Sequence, residues 1–169
     1  YKFLREMEFN RLLSSVISAY GEPTLVENSI EVQPKQKQQN INKKNYHLIT
    51  NVEEIDDWIN EAEESGELAV DTETSSLDAH QANLVGISLC TKIGKACYIP
   101  IGHKFKGCLK KENVIKKLKP LLEDVSVKKI GQNIKFDFIV LHKNGINMSS
   151  MEDTMLMSYV LDAGKNGHN

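Results

Sequence analysis

The run Leu68-Ala69-Val70-Asp71-Thr72-Glu73-Thr74 constrains what this chain can fold into more than any other stretch. It is short and apolar, and it ends in two carboxylates spaced two apart. An extended strand sends successive side chains to opposite faces, so Asp71 and Glu73 share one face while Val70 and Thr72 take the other, towards a core. Two acids side by side on a strand repel each other unless a cation lies between them. A hard divalent ion with oxygen ligands suits the pair, and magnesium or manganese suits it better than zinc. Read alone, the same pair is equally a set of solvated strand-end charges, so the surrounding chain has to decide.

The segments on either side predict the setting of that strand. Tyr46–Ile49 reads as a short strand. Asn51 caps a helix reaching about Ser65, with Val52, Ile55, Trp58, Ile59 and Ala62 on one face, and Gly66 ends it. After the Asp71 strand, Leu84–Thr91 and Lys95–Ile101 are separated by Lys92-Ile93-Gly94, which is hairpin spacing. Asn113–Glu123 reads as a helix in which Pro120 is tolerated near the end. Val127–Ile130 is a strand closed by Gly131, Asn133–Asn144 a helix ended by Gly145, and Asp153 caps a last helix from Thr154 to about Leu161. This order predicts an α/β fold with a mixed sheet, an antiparallel meander first and then a parallel strand, flanked by helices. Ligands of such sheets gather at strand ends, and Asp71 and Glu73 sit at one.

The domain is read over residues 45–169. Before it, residues 1–20 read as one helix, with Phe9, Leu12, Leu13, Val16, Ile17 and Tyr20 at three- and four-residue steps, stopped by Gly21 and Pro23. Residues 21–44 read as a flexible linker, because Gln33-Pro34-Lys35-Gln36-Lys37-Gln38-Gln39-Asn40 has no apolar periodicity. No apolar run approaches membrane-spanning length, and the three cysteines, an odd count without metal-type spacing, read as reduced and cytoplasmic. His47, His80, His103, His142 and His168 show no ligand spacing. The net charge of -2 disfavours a strongly nucleic-acid-binding protein. Its distribution is more informative: residues 51–100 carry 11 acids against 2 lysines, and residues 101–150 carry 11 lysines against 4 acids. A molecule so divided can present a basic rim to a phosphate chain, although solvated helix faces would give the same count.

A second acidic stretch joins the first. Gly131-Gln132-Asn133-Ile134-Lys135-Phe136-Asp137 follows a strand and opens a helix. Asn133 and Asp137 are four apart and so share a helix face, whereas Ile134, Phe138 and Leu141 lie on a neighbouring apolar one. That spacing leaves Asp137 free to point at a metal site rather than into the core. Taken singly, Asn133 is an N-cap and Asp137 a first-turn acid that suits the helix dipole.

Together, Asp71-Thr72-Glu73-Thr74-x-x-Leu77, Gly131-Gln132-Asn133-x-Lys135-x-Asp137 and Asp153-Thr154-Met155-Leu156-x-Ser158-Tyr159 resemble the proofreading exonuclease domain of bacterial DNA polymerase I. Ala82-Asn83-Leu84-Val85-Gly86-Ile87-Ser88 and Tyr98-Ile99-Pro100 add to the likeness, which covers about residues 45–169. The segment Phe3-Leu4-Arg5-x-Met7-Glu8-Phe9 resembles the end of the preceding 5'-nuclease module. The resemblance implies a ribonuclease-H-like fold, membership of the four-acid exonucleases, and hydrolysis of the 3'-terminal phosphodiester with two divalent cations, Mg2+ or Mn2+. It assigns Asp71 as the bridge between the ions, Glu73 to the first and Asp137 to the second. Thr74, Gln132, Asn133 and Phe136 fall to substrate binding, and Leu77 to a wedge between the last bases of a frayed single-stranded end, core packing being the alternative for Leu77.

The same likeness implies partners and a setting. These are the single-stranded 3' end of DNA, the polymerase and 5'-nuclease domains of a common parent chain, replication and repair, and a cytoplasmic, nucleoid-associated location in bacteria. Two departures stand out. Phe136 occupies a position where the family often has tyrosine. The fourth acid belongs to a Tyr-x-x-x-Asp motif that is absent here, since Tyr159 is followed by Ala163 four residues on and by Asp162 three residues on. Asp153 is explained by helix capping. The chain is therefore expected to be part of a longer protein and a poor nuclease by itself. The alternatives are a ribonuclease-D-like enzyme acting on RNA and a metal-free module that braces a polymerase.

Overall fold

A computed structural model describes residues 1–22 and 46–162. The linker expected over residues 21–44 lies almost wholly outside the described residues. The chain divides into two units, residues 1–39 and 40–169.

In the first unit, α1 (Lys2–Glu6) and α2 (Asn10–Tyr20) replace the single helix expected over residues 1–20. The break falls at Glu8, whose φ of 55° is left-handed and cannot continue a helix. The apolar three- and four-residue steps belong to α2 and its N-cap Phe9 alone.

The second unit is built on six strands. β1 (Tyr46–Leu48) leads through a single 3-10 turn, Val52–Glu54, into α3 (Ile55–Ser65). The Asn51 side chain and Glu54 close a reciprocal capping box at that entry. Gly66, with φ of 72°, supplies the left-handed residue that stops α3. β2 (Glu67–Thr74) follows, then β3 (Leu84–Lys92), β4 (Lys95–Pro100), α4 (Lys111–Glu123), β5 (Lys128–Gly131), α5 (Lys135–Lys143), β6 (Met151–Asp153) and α6 (Thr154–Leu161). The strand order is β1-β4-β3-β2-β5-β6. β2, β3 and β4 form the antiparallel meander, and β5 and β6 extend it in parallel on one side as β1 does on the other. None of the helices among the described residues is long and apolar enough to cross a membrane.

Leu68 and Val70 of β2, Ile87 and Leu89 of β3, and Cys97 and Ile99 of β4 are buried in the core with Ile55, Trp58 and Ala62 of α3 and Val114, Leu118, Leu121 and Leu122 of α4. Each such large side chain taken fully out of water contributes about 1.5–3 kcal/mol before entropy is counted. Lys129 of β5 is an exception within this apolar set. It is fully buried, and its ammonium donates to the carbonyls of Asp124 and Val127 in the turn between α4 and β5. Burial lowers its pKa.

β6 has no counterpart in the sequence reading. It is a three-residue edge strand held by main-chain pairing with β5, and no side-chain pattern announces it. α5 begins at Lys135 rather than Asn133. Asn133 has a φ of 54°, so it forms part of a turn and does not share a helix face with Asp137.

Candidate active site

β2 delivers its two acids as the alternation predicts. Asp71 and Glu73 are exposed, whereas Leu68, Val70 and Thr72 between and before them are buried. Their neighbours across the meander are small: Asp71 pairs with Ser88 and Glu73 with Gly86. A register shift between Glu73 and Thr74 ends regular pairing and turns the chain out of the sheet. Asp71, Glu73 and Thr74 then line an open cleft of ≈ 420 Å³ with Ser75, Ser76, Leu77 and Phe136. Leu77 is 98% exposed, which excludes core packing for it. Thr74 donates its hydroxyl to the Ser76 carbonyl at 3.0 Å and Phe136 is half-buried.

Asp137 departs from the expectation that it points away from the core. It is 3% exposed, and its Oδ1 accepts from the Thr72 backbone amide at 2.8 Å and from the Thr72 hydroxyl at 2.6 Å. The physical reason is the sheet itself. β5 pairs with β2 only over Glu67–Ala69, so the Thr72 amide lies beyond the end of β5, and α5 brings a carboxylate to it instead. Burial raises the Asp137 pKa. The two Thr72 bonds oppose that shift, and the nearby Asp71 charge adds to it.

The other expected residues divide. Gln132 accepts from the Thr154 hydroxyl at 2.6 Å and lines a second groove, of ≈ 340 Å³, with Ala69, Asp71, Ser88 and Thr154. Asn133 donates its backbone amide to Asp153 Oδ1 at 3.0 Å. Asp153 therefore does more than cap α6 through the amides of Met155 and Leu156, because it also pins the turn before α5. Sequence reasoning missed Thr72 as the anchor of Asp137, although a hydroxyl residue on the packed face between two acids was a visible signal. It also missed Tyr98, which lies across Gly86 so closely that a Cβ there would stand 1.9 Å from its hydroxyl. Tyr98 bonds to His103 Nε2 at 2.6 Å, and its pKa is raised by burial and then by the Glu73 charge.

The chemistry of the donor set fits a hard divalent ion at Asp71 and Glu73, two exposed carboxylates on one face. Among the described residues no group of three or more His, Cys, Asp or Glu is gathered closely enough to hold a metal. Asp137 is near enough to feel the Asp71 charge, but its carboxylate is turned to Thr72.

Comparison with known proteins places the chain in a family. A family model described as 3'-5' exonuclease matches residues 46–169. DNA polymerase I of Rhizobium leguminosarum is 43% identical over 73% of this chain and 14% of its own length. DNA polymerase I of Pseudomonas aeruginosa is 36% identical over 97% of this chain and 18% of its own. The chain thus spans less than a fifth of these relatives. Among solved structures, the RNase D: GMP complex of Trypanosoma brucei has a TM-score of 0.56 at 14% identity, covering 68% of this chain and 35% of that one. Brucella melitensis NrnC with bound Mg2+ has a TM-score of 0.52 at 23% identity, covering 73% and 56%. These two likenesses show the shared fold. With the family model spanning the residues that carry Asp71, Glu73 and Asp137, and the polymerase relatives agreeing with it, the chain belongs to the 3'-5' exonuclease domain family of bacterial DNA polymerase I.

Proposed function

We propose that this domain removes the 3'-terminal nucleotide of single-stranded or frayed DNA as the proofreading exonuclease of a longer polymerase chain. The observation that supports this best is the Asp71/Glu73 pair on the open face of β2, facing a cleft flanked by exposed Leu77 and half-buried Phe136. Asp71, Glu73 and Asp137 would hold two divalent cations, Mg2+ or Mn2+, which supply an activated water and charge stabilisation at the phosphate. Water replaces the 3'-leaving oxygen on phosphorus, giving a nucleoside 5'-monophosphate and a shortened strand with a free 3' hydroxyl.

The protein's own residues prepare that exchange. Thr74 and Phe136 border the terminal nucleotide. Leu77 enters between the last two bases and favours ends that are already unpaired, because separating paired bases costs a few kcal/mol and least at a mismatch. Gln132 and Asn133 support the site through Thr154 and Asp153. Asp137 must leave one of its Thr72 bonds, or use its second oxygen, to serve as a ligand. Residues 1–20 are read as the end of a 5'-nuclease module, and a cytoplasmic, nucleoid-associated setting belongs to the same proposal.

The test is Mn2+-dependent degradation of a 3'-labelled single-stranded DNA by this chain and by a form extended through the next acidic motif, with a matched RNA strand beside it. Cleavage of DNA by the extended form alone is expected. Equal cleavage by both forms would overturn the requirement for a fourth acid, preference for RNA would overturn the DNA assignment, and no cleavage or Mn2+ binding by the full parent would leave a bracing module.

A further inference from the structure

The loop that carries Leu77 is fastened from outside as well as from within. Its ends are clipped together, the Ser75 amide donating to the Asn83 carbonyl and the Asn83 amide to Ser75 Oγ, both at 3.0 Å. Inside it, Asp78 accepts from the His80 amide and the Gln81 side chain, and its carbonyl takes the amides of Gln81 and Ala82. These bonds give the loop a shape, and buried Ala79 and Ala82 seat its second half on the core. A further tether, to the helix that carries Asp137, comes from Lys143, the last residue of α5. Its Nζ donates to the carbonyls of Ala79 at 3.2 Å, His80 at 2.5 Å and Ala82 at 3.0 Å. An ammonium has three donors and no acceptor, so three converging carbonyls satisfy it completely.

The same helix grips β2 near its other end, where Asp137 holds Thr72. α5 therefore spans from the acid strand to the loop that leaves it. We propose that Lys143 is a positioning residue for the nuclease reaction: it fixes Leu77 at a set distance from Asp71 and Glu73, so that the base Leu77 separates is the one whose phosphate lies at the acids. This rests on the reading of Leu77 as the wedge.

The experiment compares Lys143→Met, Lys143→Arg, Leu77→Ala and the Lys143→Met/Leu77→Ala double variant in the full polymerase chain. One substrate is a single-stranded oligothymidylate. The other is the nitrophenyl ester of thymidine 5'-monophosphate, which has a single base and nothing for Leu77 to separate. Lys143→Met is expected to raise KM for the oligonucleotide about three- to tenfold, because the loop keeps its internal bonds and loses only its tether to α5. Hydrolysis of the ester should stay at the parent rate, Lys143→Arg should recover most of the oligonucleotide loss, and Lys143→Met should add nothing on top of Leu77→Ala. Equal loss on both substrates, an additive double variant, or parental behaviour of Lys143→Met beside an impaired Leu77→Ala would overturn the role of Lys143 alone. A Leu77→Ala protein indistinguishable from the parent would overturn the wedge reading and this proposal with it.

Discussion

On the open face of β2, Asp71 and Glu73 stand in solvent beside small residues; on the packed face, one residue away, Thr72 is 7% exposed and binds Asp137 at 3%. The three carboxylates are chemically alike, and Asp137 is near enough to feel the Asp71 charge, yet the fold treats them differently. The exposed pair keeps its hydration and can exchange it for a cation without rearranging the core. Asp137 has lost its water, so its charge depends on the Thr72 amide and hydroxyl. The open face thus carries chemistry that costs the fold little, whereas the packed face carries an acid tied into the architecture. Substitutions on the two faces should therefore separate activity from stability.

The largest effect is expected for Asp71→Ala. In the full polymerase chain, cleavage of single-stranded DNA should fall by roughly 10³-fold if Asp71 holds metal as proposed, since losing such a ligand would remove several kcal/mol of transition-state stabilisation. The unfolding free energy from urea titration should change by no more than about 0.5 kcal/mol, as for other exposed positions. A large stability loss would show that the open face is structural after all.

Thr72→Val reverses the balance. It keeps the buried shape but removes the hydroxyl that donates to Asp137 at 2.6 Å, which should cost about 1.5–3 kcal/mol of stability because the acceptor is charged. Activity should fall only about tenfold, through misplacement of Asp137. Denaturant unfolding and exonuclease rates on one preparation check both. Gly86→Ala probes the open face by size rather than charge. A Cβ at Gly86 would meet the Tyr98 hydroxyl at 1.9 Å, so Tyr98 must swing away and lose its bond to His103. The overpacking cost is about 1–3 kcal/mol, read again by denaturant unfolding.

The two faces were also unequally legible in the sequence. Period-two alternation placed Asp71, Glu73, Val70 and Thr72 correctly, because a half-buried strand writes its orientation into its side chains. The hairpin was equally plain, with Ile93 and Gly94 linking β3 and β4 and Gly94 at φ 82°. Asp137 was found as a residue but its surroundings were not, since its partner is a main-chain amide left over where β5 stops, and strand ends are set by pairing rather than by composition. Asn133 misled for a related reason: an asparagine before an apolar helix reads as a cap, but it also tolerates the left-handed turn it adopts here. The main-chain pairing of β6 and the bond from the Asn133 amide to the Asp153 carboxylate are long-range events with no local signal.

The smallest and most specific effect concerns pH. The Asp137 pKa is raised from its ordinary value, by burial first and with help from the Asp71 charge. A carboxyl whose folded pKa lies above its unfolded one binds its proton more tightly in the native state. Its favourable contribution is therefore complete below the unfolded value and is lost as pH rises through the folded value. Other acids run the opposite way, since Glu61, Glu123 and Asp124 are held low by their hydrogen bonds, so total stability is a poor readout. The difference between the parent chain and Asp137→Asn isolates the group. With a chelator present, the parent should lose stability relative to Asp137→Asn as pH climbs through the acidic range towards neutrality, because the substituted carboxamide keeps an acceptor for the Thr72 amide and never ionises. Asp71→Asn should flatten that difference slightly without abolishing it, burial being the larger cause. A difference that is level with pH would mean that Asp137 is as well hydrated as the acids on the open face, and the contrast between the two sides of β2 would then be one of position alone.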